Sequence, residues 1–373
     1  MSHPYIYVQD DSALAEHLAR WHSREWLAFD TEFLREDTYF PKLALIQVCD
    51  TGTPVCVDVQ AVDMAPLVEL LRNKNILKVF HSASQDLEIL TRLAGECPAP
   101  LFDTQTAAGL LGEGEQLGYA ALVEKRLGVH LDKQFTRLDW TRRPIPEGAL
   151  LYAADDVRHL AELYPALRDE LEVLGRRTWL EEDCAEMSQT SRYIPNPQTV
   201  WQRLKGVTRL EPQAQHRAAR LAAWREATAI ARDRPRRWIL DDEMLITLAV
   251  RCPRDADELE KLGLSPKQLG RYTGDLLTLI ARPITETAAL KTENGWSTAQ
   301  KNLIRSLTER VQAKARELEI AAPLLATRAD IEALVRLPSN AVVGSGDTGS
   351  ALMRGWRRAV IGGELLNLVT PSP

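Results

Sequence analysis

The chain has 373 residues, too many for one ordinary hydrophobic core and enough for two or three domains. Hydrophobic residues at 45% and charged residues at 26% exclude a fibrous or disordered chain, and no run approaches the roughly 20 apolar residues of a bilayer span. The net charge of −6 hides an asymmetry: residues 1–200 hold 19 Lys and Arg against 32 Asp and Glu, whereas residues 201–373 hold 27 against 20. An acidic half suited to binding cations is thus joined to a basic half suited to a polyanion.

The opening MSHPYIYVQDDSALAEHLARW has no basic stretch leading into an apolar run, so a cytoplasmic protein is expected. Its five cysteines are scattered, with no C-x-x-C pair, and read as reduced thiols. From Trp26, three β-rich apolar runs follow one another, WLAFDTEF, LALIQVCD and PVCVDV. Then come a helical pattern in APLVELLRN, a strand at ILKVF, a helix over Ser84–Leu93, a short strand at LFD and helices through YAALVEKRL and PEGALLYAADDVRHLAELYPALRDEL. This predicts a mixed α/β domain of about five strands over residues 1–195. Ile194-Pro195-Asn196-Pro197 breaks the chain, and from Glu211 the pattern is purely helical, with caps at Asp241, Ser265 and Ser297. A faint duplication suggests two helical domains, 211–290 and 295–373. The densest basic stretch, 201–240, has 10 Lys and Arg against 3 acids.

Asp30 and Glu32, two apart on a strand, point to one face. Asp86 sits in the first turn of the helix after ILKVF, and Tyr152 and Asp156 share a helical face four residues apart. Carboxylates gathered at one sheet end repel unless cations neutralise them. An all-oxygen set suits Mg²⁺ or Mn²⁺ better than zinc, and a pair of such ions can serve a phosphodiester displacement. Taken singly, each acid reads as a cap or a solvated charge, and Tyr152 as a half-buried helix aromatic. The ordered set carries the inference.

FDTEFLREDTYFPKLALIQV, VFHSASQDLEIL and LDWTRRPIPEGALLYAADDVRHLAELY resemble, in order and spacing, the three motifs of DEDD-superfamily exonucleases of the tyrosine subclass. The strings LREDTYFPKLALIQ and DW-x-x-RP narrow the resemblance to the ribonuclease D family, and the helical half resembles HRDC domains, its first unit clearly and its second weakly. This resemblance implies an RNase H-like mixed-sheet exonuclease domain followed by tandem all-α HRDC-like domains. It also implies 3′→5′ hydrolysis of RNA to nucleoside 5′-monophosphates in tRNA 3′-end maturation, by a monomer with no membrane partner. Asp30 would bridge two divalent metals, Glu32 and Asp156 would complete the first site, and Asp86 would support the second through water. Tyr152 would orient the attacking water. Asp155, about 100° around the helix, reads as a bystander.

Thr31, Phe33, Gln47, His81, Lys133, Arg142 and Arg143 are candidate substrate contacts. The last three make a basic loop before the third motif, with solvated charges as the alternative. Phe33, Gln47 and His81 have core roles as alternatives, and Asp103 reads as a helix N-cap. Two other functions remain open, a 3′→5′ DNA exonuclease, which metal chemistry at the phosphate does not distinguish, and a non-catalytic RNA-binding adaptor. Removal of residues 211–373 is expected to leave hydrolysis of short oligonucleotides intact.

Overall fold

The computed structural model describes residues 5–132, 134–285, 290, 295–337 and 350–369. Its backbone gathers into two compact units, one of Met1–Phe33, Leu43–Tyr193 and Trp296–Pro373, the other of Leu34–Lys42 and Ile194–Gly295.

The first unit is built on a sheet. In chain order its elements are β1 (Ile6–Val8), α1 (Asp11–Trp21), β2 (Trp26–Leu34), β3 (Lys42–Cys49), β4 (Val55–Asp58), α2 (Ala65–Arg72), β5 (Leu77–Phe80), α3 (Ser84–Ala94), β6 (Leu101–Asp103), α4 (Thr104–Leu110), α5 (Tyr119–Leu127), α6 (Glu147–Val173) and α7 (Arg177–Met187). The strands lie in the order β1-β4-β3-β2-β5-β6, so β2, which bears Asp30 and Glu32, is interior. It pairs parallel with β5, Trp26 opposite Leu77 and Ala28 opposite Val79, and β5 in turn pairs parallel with β6. The mixed α/β class is as expected, with six strands among the described residues in place of about five. The extra strand, β1, is a three-residue edge pairing Ile6 with Val55, too short to give a periodic signal.

Alternation along β2 explains its position. Leu27 and Phe29 are fully buried, and the Phe29 ring stacks on Phe80 of β5 at 5.7 Å, fixing the strand while the chain carries Asp30 and Glu32 out to the sheet end. On the α6 side, Ala44, Leu45 and Cys56 of β3 and β4 pack against Ala149, Leu150, Ala153 and Ala154. Small residues on this helix face let it approach the sheet closely enough to bring Tyr152 and Asp156 to the acids.

The second unit is helical: α8 (Pro212–Arg232), α9 (Arg236–Ile239), α10 (Asp242–Arg251), α11 (Ala256–Lys261) and α12 (Pro266–Ala281). Asp241 caps α10 and Ser265 caps α12 through a capping box, as the sequence suggests. Segment 34–42 belongs to this unit. Asp233, in a left-handed conformation at the end of α8, accepts hydrogen bonds from the Tyr39 and Phe40 amides at 3.1 Å each, and the Tyr39 hydroxyl donates to buried Glu226.

Past residue 295 the chain returns to the first unit with α13 (Thr298–Glu317), α14 (Ala322–Leu325) and α15 (Arg328–Val335). The run of 20-, 4- and 8-residue helices repeats the 21, 4 and 10 of α8, α9 and α10. Extended residues, Leu240 and Ala326, end the two short helices, and the caps Asp241 and Thr327 follow them, so the faint duplication has a structural counterpart. This stretch shares one continuous core with the sheet and α6, contributing Leu307, Val311 and Trp356. Trp356 stacks on Trp179 of α7 at 4.5 Å, and Asp183 accepts from its indole N–H and from the two terminal guanidinium nitrogens of Arg357. The expectation that removing 211–373 spares the catalytic half therefore changes. The cut would strip this layer from α7 and uncover Trp179.

Candidate active site

Three carboxylates meet in the first unit. Oxygens of Asp30, Glu32 and Asp156 lie within 4.8 Å of one another, and all three residues are partly exposed. Asp86, in the first turn of α3, is nearly buried and is fixed by Thr31, whose hydroxyl donates to its Oδ1 at 2.5 Å. Alternation makes this division of labour: Asp30 and Glu32 share one face of β2, and Thr31 between them meets the fourth acid. The turn ahead of α3 is braced by Asp103. Its Oδ2 accepts from the Ala83 amide at 2.8 Å, while Oδ1 caps α4 by accepting from the Thr106 amide. Asp103 is the N-cap expected, with a second role as the brace of the turn that leads to Asp86.

The cluster is under electrostatic stress. Burial, then the charges of Asp86, Asp156 and Glu32, push the Asp30 carboxyl well above its ordinary range. Burial and the charges of Asp156 and Asp86 raise Glu32 to about 9. Burial and neighbouring Asp155 raise Asp156 to about 7, against a hydrogen bond from the Tyr152 hydroxyl that pulls the other way. Asp86 stands at about 6, raised by burial and held down by Thr31. A set of oxygen donors that cannot all ionise at neutral pH by themselves is the electrostatic counterpart of a divalent-cation site. The residues fit such ions, since every donor is a carboxylate and no His or Cys belongs to the group.

Tyr152 reaches Asp156 one helical turn away, and burial and the acid charges push its phenol upward, so it remains protonated at neutral pH. Its ring lies between Phe135 and Trp140, with centroids at 6.1 and 6.3 Å, so the irregular segment before α6 sets its position. Asp155 pairs with Arg158 at 3.1 Å and is not among the carboxylates gathered within 4.8 Å.

Among the candidate substrate contacts, Thr31 and Phe33 flank the acids on β2, Phe33 half-buried. Gln47 is fully buried on β3 opposite Cys56, and neither of its side-chain polar atoms finds a partner among the described residues. The His81 ring meets Thr104 Oγ1 at 2.9 Å through Nδ1 and lies edge-on to Tyr119. Arg142 pairs with Asp139 at 3.0 Å on the surface. Lys133 lies outside the described residues. Arg143 departs from expectation. Its guanidinium donates twice to buried Asp58 at 2.6 Å and also to the carbonyls of Trp140 and Ala44, so its nitrogens are committed to the protein and not to phosphate. Tyr119 was not singled out from the sequence. Its hydroxyl donates to the backbone carbonyls of Asp155 and Asp156, tying α5 to the turn of α6 that bears Asp156. Because its acceptors are main-chain atoms, no side-chain motif marks it.

Two family models match, "3'-5' exonuclease" over residues 5–172 and "HRDC domain" over 214–280. The ribonuclease D of Zymomonas mobilis is 38% identical over 98% of this chain and 94% of its own, and that of Pseudomonas paraeruginosa 37% identical over 97% and 96%. The chain belongs to the ribonuclease D family. The crystal structure of Escherichia coli RNase D, described as an exoribonuclease involved in structured RNA processing, superposes with a TM-score of 0.88 at 30% identity and 98% coverage of both chains. A protein from Bifidobacterium adolescentis shares the fold, with a TM-score of 0.73 at 21% identity. As a ribonuclease D family member, this protein is a hydrolase with a 3′-5′ exonuclease domain, and its fold implies use of divalent metal. No described helix is long and apolar enough to cross a membrane.

Proposed function

We propose that this ribonuclease D family protein removes nucleotides one at a time from RNA 3′ ends in a two-metal reaction, releasing nucleoside 5′-monophosphates, with tRNA precursors among its substrates. The observation that carries the reading is the convergence of Asp30, Glu32 and Asp156 within 4.8 Å, with Asp86 held alongside by Thr31. Asp30 would bridge two Mg²⁺ or Mn²⁺ ions, Glu32 and Asp156 would complete one site, and Asp86 would serve the other through water. Such ions, when bound, stabilise charge on the attacking and leaving oxygens of an in-line displacement. Tyr152, kept protonated, is a hydrogen-bond donor and acceptor that orients the incoming water at the terminal phosphate. The brace from Asp103 to Ala83 and the tie from Tyr119 to α6 hold the acids where they are needed, which favours reaction geometry over ligand motion. Thr31, Phe33 and His81 are the positions proposed to line the path of the terminal nucleotide and Arg142 and Lys133 to meet its phosphates; Arg143 is withdrawn from that set, as is Gln47, which is fully buried within the sheet.

The division 1–195, 211–290 and 295–373 is proposed to mark three sequence modules, the last a divergent HRDC-like one, since its helix order repeats that of the first. We read the protein as a cytoplasmic monomer; five unpaired cysteines are in keeping with a reducing compartment. A time course on a 3′-tailed RNA and a DNA strand of the same sequence, each with Mg²⁺ or EDTA, tests the function. Stepwise metal-dependent shortening of the RNA is expected. Equal or preferred shortening of the DNA would favour the deoxyribonuclease alternative, and no shortening of either strand would favour the adaptor.

A further inference from the structure

The helix runs α8–α10 and α13–α15 follow one plan. Asp233 and Glu319, both left-handed, Leu240 and Ala326, both extended, and the caps Asp241 and Thr327 stand at one constant spacing along the chain. The same spacing carries Glu226 and Arg236 onto Gln312 and Ala322. In the first run, Tyr39 of segment 34–42 occupies the groove at those two positions. The Arg236 guanidinium lies 4.9 Å from the centre of its ring and donates to its hydroxyl at 2.9 Å, the hydroxyl donates to Glu226, and the ring packs against the helical core.

In α13–α15 the matching place is an open recess of about 770 Å³, lined by Gln312 and Ala322. Its floor is aliphatic, made by Ile304, Val311, Ala326 and Ile331, which are otherwise buried. Lys301, Arg305 and Arg328 stand exposed around it against a single acid, Glu309. Arg328 pairs with Glu332 at 2.8 Å, an exposed i,i+4 contact weak enough to be exchanged for another carboxylate. The volume falls within the roughly 300–1,000 Å³ of ligand clefts, and an apolar floor with a charged rim is the usual form of a pocket that takes one large side chain. The two positions that grip Tyr39 in the first run differ in a consistent way. Ala322 leaves room where Arg236 fills it, and Gln312 offers an uncharged amide where Glu226 needs its arginine partner.

We infer that this recess docks an acidic peptide segment of a partner protein, with one aromatic side chain on the aliphatic floor beside Gln312 and flanking carboxylates on Lys301, Arg305 and Arg328. Tyr39 supplies the precedent within the chain: an aromatic residue on an extended stretch, seated between the first and second helices of the same plan. The rim sets the charge of the occupant, since three cations against one acid favour carboxylates and steer them to the site. Nucleic acid is the poorer fit. Trp296 is the one aromatic residue lining the recess, and Arg336 already lies over its ring at 4.5 Å, where a base would have to stack. None of these residues belongs to the carboxylate cluster, so the recess would join the nuclease to another protein without taking part in cutting.

The test uses the full chain and a fluorescein-labelled peptide, LEEDTYFPE, which is the sequence of segment 34–42 with its two basic residues made acidic. Anisotropy is read for this probe, for LEEDTSSPE, which lacks the aromatic anchor, and for the parent LREDTYFPK, which lacks the net charge. The proteins are wild type, Thr308→Trp, which fills the recess from α13, and the exposed double variant Arg305→Glu/Arg328→Glu, with melting temperatures checked for each. Expected are saturable binding of the acidic aromatic probe to wild type, weakened by salt, and roughly tenfold weaker binding of either control peptide. Binding should be lost in Thr308→Trp and weakened roughly tenfold in the double variant. No saturable binding to wild type, or an affinity that neither variant changes, would overturn the inference. So would equal binding of the peptide without aromatics. Oligo(A) binding in EDTA is measured alongside. A loss of oligo(A) affinity in the double variant with peptide affinity unchanged would assign the rim to nucleic acid and overturn the peptide reading.

Discussion

Replacing Asp86 by Asn isolates the electrostatic stress of the carboxylate cluster. Asp86 is nearly buried, and its carboxyl is raised from the ordinary 3.8 to about 6. Between those values the folded protein holds a proton that the unfolded chain releases, so the contribution of this group to stability falls as pH rises through that window. Above about pH 6 the loss is complete, and keeping the group ionised costs the metal-free fold about 3 kcal/mol. Asn retains a carbonyl that can accept from Thr31 and removes the charge. In EDTA at pH 8 the variant should therefore be the more stable protein, by up to about 3 kcal/mol, or roughly 5–10 °C in Tm for a unit of this size. At pH 4 the difference should shrink toward zero, because both side chains are then largely neutral. Saturating Mg²⁺ should narrow or reverse the difference, since ligand at 100 times its Kd adds about 2.7 kcal/mol to the protein that binds it. Calorimetric melting at pH 4 and 8, with and without Mg²⁺, reads all of this. A variant less stable than wild type at pH 8 in EDTA, or a Tm difference independent of pH, would refute the reasoning.

Tyr152→Phe removes the hydroxyl donated to Asp156 and should lower kcat by about 10²–10⁴-fold while Mn²⁺ still binds by calorimetry; a kcat within threefold of wild type would remove the phenol from the reaction. Arg143→Ala strands the buried Asp58 carboxylate with Tyr7 as its remaining side-chain partner. Urea unfolding should show a loss of roughly 2–4 kcal/mol, with KM for RNA near wild type; a large rise in KM would restore the substrate role. Trp356→Ala leaves a cavity against Trp179 and should cost about 3–5 kcal/mol, and truncation at residue 295 should yield a catalytic half that aggregates or melts early in light scattering.

How much of this was legible in the sequence follows from the range of the interactions. The strand bearing Asp30 and Glu32, the helix of Tyr152 and Asp156, and the caps at Asp241, Ser265 and Ser297 are written in local periodicity and in side chains acting within four residues. Long-range partners were not. Arg143 looked like one member of a basic loop because Asp58, which holds it, lies 85 residues earlier. Segment 34–42 fell inside the α/β domain expected over residues 1–195, yet its anchors Glu226 and Asp233 come nearly two hundred residues later. The likeness between α8–α10 and α13–α15 was faint in residue identities, and what the structure adds is a similar run of helix lengths. The contrast reflects packing, since helix order survives changes of surface residues that erase sequence likeness.

The central claim is that these four acids hold the metals at which RNA is cut. Anomalous diffraction from crystals soaked in Mn²⁺ and a nucleoside 5′-monophosphate tests it most directly. The account predicts two peaks about 4 Å apart, one among Asp30, Glu32 and Asp156 and one between Asp30 and the water shell of Asp86, both lost in Asp30→Asn. Ions bound elsewhere, or two peaks that persist in Asp30→Asn, would contradict it.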